Sequence, residues 1–171
     1  MTGPGDGWLR RAGRGTLADG AVVRWSVAEG DRGRRWRWIL SGPDGTLRHV
    51  GLIELDRDGA FGRLELETGE GMVTLHPAGD GSTAHGNVVT DGGVRPIRIA
   101  WPAGSWVAIE GDPFGSALAT TPGEASGEGW LVRGSTLRMK GIDRGTLAAV
   151  PLDPRGVPVL VDGVEWALET P

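Results

Sequence analysis

The sequence predicts an all-β fold: a single curled antiparallel sheet, β-roll or barrel-like, of about a dozen strands, with at most one short helix near 113–120. Three observations lead there. Short apolar or period-two runs recur from Val22 to the end. Clusters of Gly, Pro and Asp separate them, as in SGPDG, DRDG, HPAGDG, DGG, WPAG and DPRG. A 3.6-residue period is almost absent. So many strands in one domain imply a sheet that curls or closes, since long flat sheets leave exposed edges.

The elements follow in order. Residues 1–20, rich in Gly and Arg, read as a flexible lead-in, and 21–171 as one all-β domain. Strands are predicted at 22–28 (VVRWSVA), 35–40 (RWRWIL), 47–55 (LRHVGLIEL), 61–67 (FGRLELE) and 72–76 (MVTLH). A second set comprises 83–90 (TAHGNVVT), 94–101 (VRPIRIAW), 105–110 (SWVAIE), 129–134 (GWLVRG), 136–140 (TLRMK) and 146–150 (TLAAV). VPVLV (157–161) and VEWALE (164–169) close the chain around Asp162-Gly163, a pair that takes the positive φ angles of a type I′ hairpin. In FGRLELE, Leu64 and Leu66 point one way and Arg63, Glu65 and Glu67 the other, so one face of the sheet is solvated. The single helix candidate is DPFGSALATT, with Asp112 as N-cap and Pro113 at the first helical position.

Composition narrows the function classes. There is no cysteine, which removes disulfides, thiolate metal sites and cysteine nucleophiles. The N-terminus MTGPGDGWLRRAGRG has no apolar core of a secretory signal, and no run of 18 apolar residues occurs, so a cytoplasmic protein that does not span a membrane is expected. Charge is uneven: residues 1–50 carry nine arginines against five acids, a net +4, and residues 51–171 nine bases against 17 acids, a net −8. The two halves are expected to complement each other within one fold.

The stretch RGRRWRWIL (32–40) holds four arginines and two tryptophans. On a strand, Trp36, Trp38 and Leu40 share one face while Arg35 and Arg37 share the other with Ile39. A nucleic-acid surface presents basic residues and aromatic rings on the same face, and the pleat separates them here. No nucleic-acid partner is expected, and the stretch reads as a strand with buried rings and solvated arginines.

Motifs of catalysis are not legible. His49, His76 and His85 form no HxH, HExxH or HxxxH pair and read as half-exposed strand and turn residues. DRDG at 56–59 begins like a calcium loop but lacks the later ligands, and reads as a hairpin turn. GEASGEG at 123–129 is followed by no helix and reads as a loop rather than a phosphate cradle. The carboxylate pairs Glu65/Glu67 and Asp56/Asp58 face solvent, where nothing shifts their pKa values. No catalytic residue, metal ligand or cofactor is assigned.

What remains is eight tryptophans against two phenylalanines. Trp36, Trp38, Trp101, Trp106 and Phe114 are the candidate lining of an apolar cavity for a lipid, glycolipid or similar amphiphile. His85, Arg95 and Arg98 are placed at its polar headgroup. The alternative is a structural or partner-binding β domain with the same rings filling the core. Oligomeric state is not legible.

The segment TAHGNVVTDGGVRPIRIAWPAGSWVAIEGDPFGSALA (83–119) and the ending AAVPLDPRGVPVLVDGVEWAL resemble, in order of elements and in length, a bacterial family described as glycolipid-binding. The likeness covers about residues 20 to 169 and lies in rhythm rather than in invariant residues. It implies a spiral β-roll, a many-stranded sheet wrapped around one helix, with a lipid or glycolipid cavity. The helix candidate here is short for that fold, and the ligand would be met in the cytosol or at the inner membrane face.

Overall fold

Alternation of buried and exposed side chains along consecutive hairpins generates one large sheet. The computed structural model describes residues 9–120, 128–133, 138–142, 160–161, 164–165 and 167–169. Its first eight strands are β1 (Leu9–Thr16), β2 (Val22–Gly30), β3 (Gly33–Ser41), β4 (Leu47–Leu55), β5 (Phe61–Thr68), β6 (Gly71–Pro77), β7 (Thr83–Thr90) and β8 (Gly93–Ala100). They form an antiparallel meander in chain order, and β14 (Ala167–Glu169) adds a ninth strand beside β1. Pro96 is tolerated in β8 because that strand is the sheet edge, where a missing N–H breaks no ladder.

The sheet has a dry face and a wet face. Val23, Trp25 and Val27 of β2, Trp36, Trp38 and Leu40 of β3, and Leu64 and Leu66 of β5 are buried, while Arg24, Arg35, Arg37 and Arg63 between them are exposed. The alternation in RWRWIL is therefore the pleat itself. Arginines of the stretch 32–40 meet the chain's own acids: Arg34 donates to Glu29 at 2.9 Å and Arg35 to Glu54 at 2.7 Å.

Two small sheets and a helix complete the described fold. Strand β9 (Trp106–Ile109) pairs in parallel with β10 (Gly129–Arg133), which pairs antiparallel with β11 (Arg138–Ile142). A parallel pair needs a crossover rather than a hairpin, and helix α1 (Pro113–Thr120) lies in that connection. Strands β12 (Leu160–Val161) and β13 (Val164–Glu165) pair with Val161 opposite Val164, as the Asp162-Gly163 hairpin requires, although the two turn residues lie outside the described residues.

Three corrections follow. Among the described residues the strands are not one sheet: nine, three and two strands form separate ladders, because the α1 crossover and the short closing hairpin leave the meander. The β9–β10 pair is parallel, not antiparallel. And where a lead-in is expected over 1–20, Leu9–Thr16 is strand β1, paired along its length with β2. The strand expected at 146–150 and most of the loop at 123–129 lie outside the described residues.

A recurring device explains β1. Buried tryptophans sit directly opposite a glycine of the neighbouring strand: Trp25 opposite Gly13, Trp38 opposite Gly51 and Trp106 opposite Gly129. Each ring lies across that glycine. A Cβ at Gly13 would come within 2.6 Å of the Trp25 ring, and one at Gly51 or Gly129 would overlap its indole outright. Gly13, a poor strand former by propensity, is thus fixed by an indole that occupies its missing side-chain volume.

Candidate functional site

Phe114, one residue into α1, is fully buried against the dry face of the large sheet. Its ring centroid lies 6.2 Å from Trp25, 6.3 Å from Trp36 and 6.3 Å from Trp38, and Trp25 and Trp36 are 5.5 Å apart. Offset and edge contacts of this kind add to area burial because the ring quadrupoles complement one another. Glycine at 115 is required beside it: a Cβ there would stand 2.6 Å from the Trp38 ring.

The residue that holds α1 in this position is Asp112, 0 % exposed. Its Oδ1 accepts the Gly115 N–H at 2.9 Å, the N-cap bond anticipated from DPFG. Its Oδ2 accepts the indole N–H of Trp38 at 2.6 Å and meets Nε2 of His49 at 2.6 Å. Where Asp112 is ionised it only accepts, and His49 Nε2 is then the donor of this pair. Ser116 adds a second tie, its hydroxyl accepting from the Ile109 N–H at 2.8 Å and donating to the Asp112 carbonyl at 2.8 Å. One carboxylate therefore joins the helix, β3 and β4 across 74 and 63 residues of sequence.

His49 is 5 % exposed, which corrects its expected half-exposed place. It shares the buried parity of β4 with Gly51, Ile53 and Leu55. It also lines a cleft of about 330 Å³, together with Leu40, Arg48, Thr68, Glu70 and Glu110. Its Nε2 is engaged by Asp112, and no hydrogen bond to its Nδ1 occurs among the described residues. Around it, Arg48 pairs with Asp19 at 2.8 Å and Glu110 with Arg133 at 3.5 Å. Thr68 stands opposite His49 in register, but its hydroxyl contacts Gly71 and Glu70 backbone rather than the imidazole. The arrangement is that of an imidazole held through Nε2 with, among the described residues, no hydroxyl nucleophile bonded to it.

The residues singled out from sequence fall in several places. Trp36, Trp38 and Phe114 come together at α1. Trp101 is buried elsewhere, 5.1 Å from Phe61. Trp106 is buried but stands outside the main hydrophobic cluster, on the face of β9 opposite Val107 and Ile109. Arg95 and Arg98 are exposed on opposite faces of β8, Arg95 across from buried Val88 and Arg98 across from His85 on the wet face. Sequence reasoning missed His49 and the second role of Asp112. The parity of LRHVGLIEL was a usable signal, since His49 alternates in step with the buried Ile53 and Leu55.

His85 instead meets His76 across the β6–β7 ladder, ring centroids 4.0 Å apart. Burial of the His76 ring, then the neighbouring His85 and Arg63, hold its pKa below the ordinary value of 6.5. The folded state consequently binds this proton less readily than the unfolded chain, so the contribution is full above about 6.5 and is lost as pH falls through that value and the lower folded one. Urea midpoints measured from pH 8 to pH 5 are expected to drop on the acid side. His85→Asn should reduce that drop without removing it, because burial is the larger cause.

Among the described residues no group of three or more metal-ligating side chains occurs, and no helix is long and apolar enough to cross a membrane. Among the described residues, the indole N–H groups of Trp25, Trp106 and Trp130 are buried without an acceptor. Comparison of the chain with protein-family models, curated proteins and solved structures finds no match in any of the three.

Proposed function

We propose that the protein is a non-catalytic binding module for a lipid, glycolipid or similar amphiphile, received at the His49 cleft between β4, β5 and the start of α1. The observation that carries this reading is a buried imidazole, held through Nε2 by Asp112, that lines a cleft of about 330 Å³, within the size range of small-molecule sites. Nδ1 and the carboxylates of Glu70 and Glu110 offer acceptors to a hydroxylated headgroup, and Arg48 offers donors. Leu40 forms the apolar wall and shares its strand face with Trp38 and Trp36, so a tail entering past His49 meets aromatic surface. The unpartnered Trp25 N–H in that cluster is a donor a ligand oxygen would satisfy.

The likeness to the glycolipid-binding family leads to the same ligand class, and with it the curled sheet. Nine strands about 4.8 Å apart span roughly 38 Å if flat, whereas α1 is about 12 Å long. Yet dry-face residues from β2 to β8 belong to one buried cluster. A sheet that curls over α1 accounts for this. A closed core acting only through its surface is the second reading, favoured by the mutual packing of Trp36, Trp38 and Phe114.

Organic extraction of purified protein, followed by mass spectrometry, tests the choice. The amphiphile reading expects a stoichiometric ligand from the wild type, and saturable tryptophan quenching by a lipid panel that Glu70→Gln and Glu110→Gln weaken. An empty extract with a flat titration contradicts it and leaves the closed-core reading.

A further inference from the structure

The wet face of β1–β3 gathers positive charge around one serine. Strand register sets Ser26 opposite Ala12 on β1 and Arg37 on β3. Arg24 precedes it by two residues on the same face, Arg10 and Arg14 lie diagonally on β1, and Arg35 lies diagonally on β3. In a sheet, opposite Cβ atoms are about 5 Å apart and diagonal ones about 7–8 Å. Five guanidinium side chains therefore share the surroundings of a single hydroxyl.

The surface between them is concave. A cleft of about 600 Å³ is lined by Arg10, Ala12, Ser26, Ala28, Arg35 and Arg37, with the small residues as floor. Arg35 is held by Glu54, but Arg10, Arg24 and Arg37 are exposed and make no ion pair among the described residues. Like charges facing one another across strands are unfavourable. No aromatic ring shares this face of β1–β3, since Trp25, Trp36 and Trp38 point to the core.

We propose that this trough is a binding site for a compact polyphosphate group, seated on Ala12, Ser26 and Ala28 and held by Arg10 and Arg37, which line it, with Arg24 flanking Ser26 on the same strand face. Planar guanidinium forks match phosphate oxygens in pairs of hydrogen bonds. The density of cation around one small floor fits two or three linked phosphates better than a single carboxylate. The absence of rings removes the stacking platform a single-stranded nucleic acid uses.

The probe is inorganic triphosphate, titrated calorimetrically into the full chain. Saturable binding is expected, weakening steeply as salt rises from about 50 mM to about 200 mM. Arg24→Ala and Arg37→Ala should each lower affinity about tenfold or more, with Arg98→Ala, outside the trough, unchanged. Ser26→Glu separates binding from folding: a carboxylate amid the guanidinium groups should raise the melting temperature and abolish triphosphate binding. The proposal is overturned if triphosphate does not saturate, or if it binds no better than sulfate. Binding that survives Arg24→Ala and Arg37→Ala overturns it too, as does binding of phosphatidylglycerol vesicles or an oligonucleotide without triphosphate.

Discussion

Replacing Asp112 with alanine is expected to lower the free energy of unfolding by about 4 kcal/mol. The change removes the N-cap of α1, worth about 1 kcal/mol, and withdraws the acceptor from the Trp38 indole and from His49. Both donors are buried, and an unsatisfied buried donor costs about 1–3 kcal/mol. Asp112→Asn keeps the volume and one acceptor, so it should cost about half as much. Urea unfolding monitored by tryptophan fluorescence gives both values. A loss under about 1 kcal/mol for the alanine variant, at unchanged m-value, would show that the carboxylate does not join helix to sheet.

The second large effect is at Phe114. Truncation to alanine removes the ring that three tryptophans share, in a place where the sheet cannot collapse onto the gap, and should cost about 3–5 kcal/mol. Phe114→Leu fills most of that volume and should cost less than about 1.5 kcal/mol. The alanine variant should also acquire a dry, indole-lined cavity that takes up benzene or xenon, detectable as a rise in melting temperature with added benzene. No rise would mean that the surrounding rings had moved in to fill the space.

Much of the architecture was legible because buried and exposed residues alternate so regularly. TAHGNVVT and LRHVGLIEL are strands over the expected ranges, and α1 occupies Pro113–Thr120 with Asp112 as its cap. Strand β1 was not legible for a physical reason: LRRAGRGT offers arginine and glycine where a strand shows apolar alternation, and its glycine is stabilised by Trp25 from the next strand. The separation of nine, three and two strands was hidden too, because it depends on a crossover whose pairing partners are distant in sequence.

The site was legible only in part. Period-two parity alone puts Arg95 and Arg98, three residues apart, on opposite faces, so placing both at one headgroup overlooked a signal the sequence carried. The same parity puts His49 with Ile53 and Leu55 on the dry face. What parity cannot supply is its partner, since Asp112 lies 63 residues away and is already explained locally as a cap. The basic trough is likewise a register effect: Arg10 and Arg24 are unremarkable along the chain, and they become neighbours of Arg37 only when β1, β2 and β3 pair.

The His49 cleft as a ligand site is tested most directly by following the imidazole nitrogens of ¹⁵N-labelled protein during titration with octyl glucoside below its micelle concentration. The account predicts that free His49 carries its proton on Nε2 and that its Nδ1 resonance then moves saturably, while His76 and His85 on the wet face stay fixed. A His49 signal that does not move, or three histidines that move together, would contradict it.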